Sequence, residues 1–262
     1  MSYPERIVCI TEEPTEVLYA LGEEHRIVGI TNFTVRPKRA RKEKPRVSAF
    51  TSAHIDRILE LEPDLVIGFS DIQADIARDL IKEGVEVWIS NHRSIDGIIS
   101  YVRRLGAMVG VTEKADTYAN DLTAHVEKVR ASADALPYRP KVYFEEWHDP
   151  IITGIGWVAE IIRIAGGDDV FPQLSTAALA KDRIIADPSV VAAAEPDVIL
   201  ASWCGKKVQF DHIYGREGWE DVPAIANRQV HEIDSSIILQ PGPAALTDGI
   251  DEIHRLILEA IS

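Results

Sequence analysis

The amino-acid sequence predicts an α/β protein of two similar lobes joined by one long helix. Three observations carry that prediction. Short apolar runs alternate with amphipathic ones from Arg6 onward, the pattern of strands and helices around a mainly parallel sheet. A phrase recurs: Glu62-Pro63-Asp64-Leu65-Val66-Ile67 and Glu195-Pro196-Asp197-Val198-Ile199-Leu200 each close an amphipathic stretch and open an apolar one. In both, proline stops the helix and aspartate takes the turn. Between the two halves, Thr112–Leu136 places Tyr118, Leu122, Val126, Val129, Ala133 and Leu136 at steps of three and four, without Gly or Pro. That is one face of a helix, and about 25 residues at 1.5 Å each span nearly 40 Å, enough to bridge two lobes. The expected division is an N-terminal lobe over 1–111, the bridging helix over 112–136 and a C-terminal lobe over 137–262.

Each element follows from local pattern. In the first lobe, Arg6–Ile10, Ile27–Thr31, Leu65–Gly68 and Val85–Ile89 read as strands, with Cys9 and Trp88 as core. Pro14–Leu21, Ser52–Leu61, Asp71–Lys82 and Ser94–Val109 read as helices, with Thr11, Ser52 and Ser94 as caps. In the second, Lys141–Phe144, Val198–Ala201 and Val230–Ile233 read as strands. Gly156–Ala165, ended by Gly166-Gly167, Ser189–Ala194 and Ala244–Ile261 read as helices. The basic run Arg36 to Lys42 reads as a solvated loop.

Composition narrows the function. In 262 residues, 28 Lys and Arg stand against 42 Asp and Glu, a formal net charge of −14. Such a surface repels phosphate backbones and anionic lipid, so neither nucleic acid nor membrane is an expected partner. Cys9 and Cys204 are too far apart in sequence to form a disulfide framework. Met1 to Arg6 enters a strand-like segment with no basic n-region or apolar h-region. As written the chain is expected in the cytoplasm; trimmed at a cleavage site, it is expected in the periplasm or outside the cell.

Several blocks, in order, resemble a known family. They are Arg6-Ile7-Val8-Cys9-Ile10-Thr11 with Pro14 to Gly22, Ile27-Val28-Gly29-Ile30-Thr31, and Leu59-Glu60-Leu61-Glu62-Pro63-Asp64-Leu65-Val66-Ile67. Trp147-His148-Asp149-Pro150, Gly156-Trp157-Val158-Ala159-Glu160 with Ala165-Gly166-Gly167, and Gln240-Pro241-Gly242-Pro243 follow. The chain is similar to the class III, helical-backbone substrate-binding proteins, which include cobalamin- and ferric-siderophore-binding components of ABC importers. The cobalamin-binding branch looks nearest. The resemblance implies two Rossmann-like lobes joined by a long backbone α-helix, a ligand cleft between the lobes, no intrinsic cofactor, and a permease partner. It also implies an exposed docking glutamate on each lobe. Here those positions read Ser70-Asp71-Ile72-Gln73-Ala74-Asp75-Ile76 and Ile237-Ile238-Leu239-Gln240, without glutamate.

Ligands of open α/β sheets bind beyond the carboxyl ends of the strands. That rule marks Glu12, Glu13, Asn32, Phe33, Phe50, Phe69, Asn91 and His92 in the first lobe. In the second it marks Glu146, Trp147, His148, Trp157, Trp203 and the segment 235–240. The candidate ligand contacts are Glu13, Phe33, Phe50, Phe69, His92, Glu146, Trp147, His148, Trp157 and Trp203. Aromatic faces suit a flat macrocycle such as a corrinoid. Strand alternation predicts that one member each of Glu12/Glu13 and Glu145/Glu146 faces the ligand. His148 and His92 lack the paired spacing of a preformed metal site, and hydrogen bonding is their expected role. No Gly-x-Ser-x-Gly, Gly-x-x-x-x-Gly-Lys or Gly-x-Gly-x-x-Gly turn occurs where chemistry would need it. Three readings stand: an uptake protein for a cobalamin-like corrinoid or related metal chelate, a cytoplasmic carrier or sensor of such a ligand, and a hydrolase on the same fold.

Overall fold

A computed structural model describes residues 3–262, so Met1 and Ser2, which begin the export-signal reading, lie outside the described residues. The chain divides into two compact units. Unit 1 runs through His92 and takes up again over Asp96–Thr123; unit 2 is Arg93–Ile95 with Ala124–Ser262. The helix Thr112–Ala133 begins in the first and ends in the second. It stops three residues short of the predicted Leu136.

Unit 1 is built on β1 (Ile7–Cys9), β2 (Ile27–Thr31), β3 (Arg46–Ser48), β4 (Leu65–Phe69) and β5 (Val87–Ser90). They lie in the order β3-β2-β1-β4-β5 and every pair is parallel. A parallel sheet is covered on both faces, and near-continuous apolar strands follow from that. On one face Val8, Ile10, Val47, Ile58, Val66, Ile76 and Leu80 form a core.

Unit 2 carries β6 (Lys141–His148), β7 (Ile151–Thr153), β8 (Asp168–Asp169), β9 (Val198–Ala201) and β10 (Val230–Glu232). The order is β10-β9-β6-β7, with β7 antiparallel to β6 and β8 pairing β6 as well. Tyr143, Ile199, Ala201, Trp203 and Trp219 centre its core.

The recurring Glu-Pro-Asp phrase has the same structural job in both units. Glu62 and Glu195 both adopt the left-handed region, at φ 45° and 49°. Each turn then delivers an aspartate to the start of its unit's central strand. Asp64 accepts the N–H groups of Glu5 (2.7 Å) and Arg6 (3.0 Å), and Asp197 accepts that of Lys141 (2.8 Å). Two unpaired donors at the head of β1 and one at the head of β6 are thereby satisfied.

Several expectations need correction. The helix predicted over Ser52–Leu61 is Ile55–Leu59, preceded by His54, so Ser52 is not its cap. Asp71–Lys82 opens with a 3₁₀ turn, Asp71–Gln73, before the α-helix Ala74–Lys82. The closing helix is Ile250–Ala260, entered through a π turn at Ala245–Gly249. There the Ile237 carbonyl presses on Gly249 so closely that any Cβ would overlap it. Thr11 does not cap the helix; its hydroxyl is buried beside the Glu13 carboxyl. Arg36 to Lys42 is not a free loop. Arg36 pairs with Glu16 (3.0 Å), Arg39 pairs with Glu24 (2.8 Å) and lies over the Tyr19 ring, and Ala40 is buried. Trp88 is half-buried and stacks on Tyr101 rather than lying in the core.

Candidate functional site

The strand orders locate the positions where a ligand would bind. In unit 1 the sheet runs one way from β1 to β3 and the other way from β4 to β5. The switch point lies between the carboxyl ends of β1 and β4, where crevices in such sheets form. Glu12 and Glu13 follow β1, and Phe69 ends β4. In unit 2 the corresponding junction is β6 with β9; Trp147 and His148 end β6, and Trp203 follows β9.

At the unit 1 junction, Gln73 is a fully buried amide that the sequence reading passed over. It accepts the Phe69 N–H (2.9 Å) and donates to the carbonyls of Ile10 and Phe50, both at 3.0 Å. One side chain thus fixes the ends of β1 and β4 and the loop after β3. His92 stacks on Tyr101 at 4.6 Å and meets the Phe69 ring edge-on at 5.4 Å. Phe33 is 43% exposed, Phe50 is half-buried and Phe69 is buried.

The two acids behave otherwise than predicted. β1 ends at Cys9, so Glu12 and Glu13 are turn and first helical residues and strand alternation does not govern them. Both are buried, Glu13 to 3% exposure. Burial, then the neighbouring Glu13 charge, pushes the Glu12 carboxyl up to about 8. Burial pushes Glu13 up to about 7, against the helix N–H groups and the Thr11 hydroxyl that hold it down. The Glu13 Oε2 has no hydrogen-bond partner among the described residues.

In unit 2 the pairing of β6 with β7 shifts register between Glu145 and Trp147, and Glu145 and Glu146 are each claimed by an arginine. Glu145 is wholly buried and takes both arms of Arg216, the Trp203 indole N–H (3.2 Å) and the Tyr143 hydroxyl (3.3 Å). Arg216 in turn lies over the Trp219 ring at 4.6 Å. Glu146 takes both arms of the buried Arg183, which also donates to the Thr153 carbonyl. Glu146 therefore has less freedom for a ligand than its position suggests.

The tryptophans divide by role. Trp203 is 2% and Trp157 3% exposed, the latter donating to the Ile238 carbonyl (2.8 Å). Both are packing residues, a correction to their placement as direct contacts. His148 stacks on Trp203 at 4.2 Å, beside half-buried Trp147 at 5.1 Å and exposed His212 at 5.4 Å. Lys206 sits 4.9 Å above Trp147, whose indole N–H donates to the Asp149 carbonyl. Burial, then His212, lowers the His148 pKa below 6.5. Its Nδ1 is buried without a partner among the described residues. His148 and Arg216 also border a hollow of about 520 Å³. Among the described residues, no three His, Cys, Asp or Glu side chains converge on a metal position, and no helix is long and apolar enough to cross a membrane. Where the resemblance places a docking glutamate, exposed Asp75 pairs with Arg78 at 2.6 Å.

Two units that each gather aromatic rings and held carboxylates at the carboxyl ends of their central strands have the build of a solute-capturing binding protein. Residues 7–237 match the family described as periplasmic binding protein, and the chain belongs to that family. It is 24% identical over 254 residues to the vitamin B12-binding protein of Vibrio vulnificus strain CMCP6, covering 92% of this chain and 86% of that one. It is 23% identical over 269 residues to an ABC transporter substrate-binding lipoprotein, YvrC, of Bacillus subtilis strain 168, covering 97% and 80%. Among solved structures, the periplasmic heme-binding protein RhuT of Roseiflexus sp. RS-1 superposes with a TM-score of 0.85 at 23% identity, over 98% of this chain and 99% of that one. The periplasmic vitamin B12-binding protein BtuF of Vibrio cholerae gives 0.79 at 22% identity, over 99% of each chain. These two likenesses establish the fold: two α/β units with parallel sheets.

Proposed function

We propose that this chain binds a cobalamin-like corrinoid or a related metal chelate as the substrate-binding component of an ABC-type uptake system. The observation that carries the reading is the platform at the ends of β6 and β9. There Trp147 and His148 are partly exposed rings, backed by Trp203, which the Glu145–Arg216 pair holds by its indole N–H. Rings fixed from behind offer a macrocycle large contact area at small entropic cost. Trp147 and His148 are assigned to cargo contact, with Trp203 and Trp157 supporting them and Glu146 holding Arg183. Within unit 1, Glu13, Phe33, Phe50, Phe69 and His92 are assigned to ligand contact. The vitamin B12-binding name of a relative covering most of the chain supports the corrinoid. A permease is the expected macromolecular partner.

A second reading, a carrier not docked to an importer, is favoured by one feature. The segment 70–76 offers aspartates where the resemblance expects glutamate, and Asp75 is already paired. The cargo reading is tested by tryptophan-fluorescence titration with cyanocobalamin, haemin and a ferric siderophore. Saturable one-to-one quenching by cyanocobalamin, weakened at least tenfold in Trp147→Ala, is the expected result. No response to any of the three ligands contradicts it.

A further inference from the structure

One cation of the unit 2 platform rests on a ring and on no carboxylate. The turn after β9 closes where the Lys206 N–H donates to the Trp203 carbonyl (3.1 Å), with Gly205 third in the turn at φ 70°. That left-handed position favours glycine. The turn brings the Lys206 ammonium to 4.9 Å from the centre of the Trp147 ring. The neighbouring cations are spent: Arg216 lies on Glu145, and Lys207 pairs with Glu232 at 3.6 Å. Lys206 is exposed and makes no ion pair among the described residues. Its charge reaches His148. Burial, then His212, then Lys206 lower the His148 pKa below 6.5, against Glu145 and Asp149. The imidazole is therefore neutral at pH 7, while the ammonium is charged. Lys206, Trp147, His148 and Trp203 all belong to unit 2.

From this geometry we infer that Lys206 is a specificity residue, a cationic cover on the Trp147 face that yields to a flat cargo carrying an oxyanion at its edge. The inference rests on the chelate reading above and names the charge its cargo presents. A ring that stacks on the covered face has to lift the ammonium away. The cation–π attraction lost is worth about two- to fivefold in affinity at an exposed site. A phosphate or carboxylate at the edge of the cargo takes over the ammonium in a charge-assisted hydrogen bond, worth about tenfold or more. An anionic cargo therefore gains by the exchange. A neutral cargo meets the same loss with nothing to set against it. The flexible four-carbon stem lets the ammonium follow the anion while the turn holds the backbone. His148, stacked on Trp203 at 4.2 Å, offers the cargo an uncharged ring, so selection by charge falls to Lys206.

The test uses two pairs of chelates, each with one member that lacks the oxyanion. Cyanocobalamin carries a phosphodiester that dicyanocobinamide lacks, and haemin carries carboxylates that its dimethyl ester lacks. Calorimetry compares wild type, Lys206→Met and Lys206→Arg. Methionine keeps an apolar stem over the indole and removes the charge. Lys206→Met is expected to bind the anionic member about tenfold or more weakly than wild type does. It is expected to bind the neutral member as well as wild type, or up to about fivefold tighter. Lys206→Arg is expected to keep the wild-type preference. Raising NaCl from about 50 to about 500 mM is expected to weaken the anionic member in wild type and not in Lys206→Met. A response in the cobalamin pair assigns the oxyanion to phosphate, and one in the haemin pair assigns it to carboxylate. Equal losses for both members in Lys206→Met would mean that the stem only packs on Trp147. That result, or no loss for either member, overturns this inference and leaves the chelate reading intact. Failure of the wild type to bind any of the four overturns the chelate reading and this inference with it.

Discussion

Replacing Glu13 by glutamine should stabilise the protein, and only at the alkaline end of its range. The carboxyl ionises near 4.5 in the unfolded chain and at about 7 in the folded one. A raised acid pKa means that the folded state holds a proton the unfolded state has lost. Its stabilising effect is therefore complete below 4.5 and is lost as pH rises through 7. At 1.36 kcal/mol per pH unit, the span from 4.5 to about 7 is worth about 3 kcal/mol. Glutamine stays neutral and escapes this loss. Glu12 remains in both proteins; losing the Glu13 charge lowers its pKa in the variant, which adds to the variant's gain at alkaline pH. Urea unfolding of wild type and Glu13→Gln at pH 5 and pH 8.5 measures it. The variant should be more stable by less than about 1 kcal/mol at pH 5 and by about 3 kcal/mol at pH 8.5. A difference independent of pH, or a variant weaker at pH 8.5, would refute the burial argument.

Other substitutions probe the remaining supports. Arg216→Met leaves Glu145 charged and buried with only two neutral donors, and should cost about 3–5 kcal/mol in urea unfolding. Adding Glu145→Gln should recover part of that loss. Gln73→Leu strands the Ile10 and Phe50 carbonyls and the Phe69 N–H; it should cost at least about 2 kcal/mol and weaken cyanocobalamin binding in calorimetry. An NMR titration should place His148 below 6.5, and His212→Ala should move it upward, since His212 is the second cause of its depression. No movement would exclude the imidazole pair as a cause.

The elements with strong local pattern were legible in the sequence. The Glu-Pro-Asp echo marked equivalent places in both units because turn chemistry is local: a proline, a left-handed residue and a short acid suffice. β3 was not legible, since Arg46-Val47-Ser48 is a three-residue edge strand with one large apolar residue. Glu12 and Glu13 were placed correctly at a strand end but given the wrong rule, because β1 stops at Cys9 and the chain turns before the period-2 argument applies. Arg183 and Arg216 were missed for a different reason. Hydropathy marks arginine as surface, and their burial depends on carboxylates 37 and 71 positions away. Trp157 and Trp203 show the limit of reading rings from position alone: both sit where a ligand contact is expected, and both are spent on packing.

Cobalt supplies its own marker for the central claim. Crystals of the protein grown with excess cyanocobalamin, measured at the cobalt absorption edge, should show one anomalous peak per chain at the carboxyl ends of β6 and β9. The corrin should lie in van der Waals contact with Trp147. A saturated complex whose cobalt peak lies away from that platform, or crystals with no cobalt peak at all, would contradict the account.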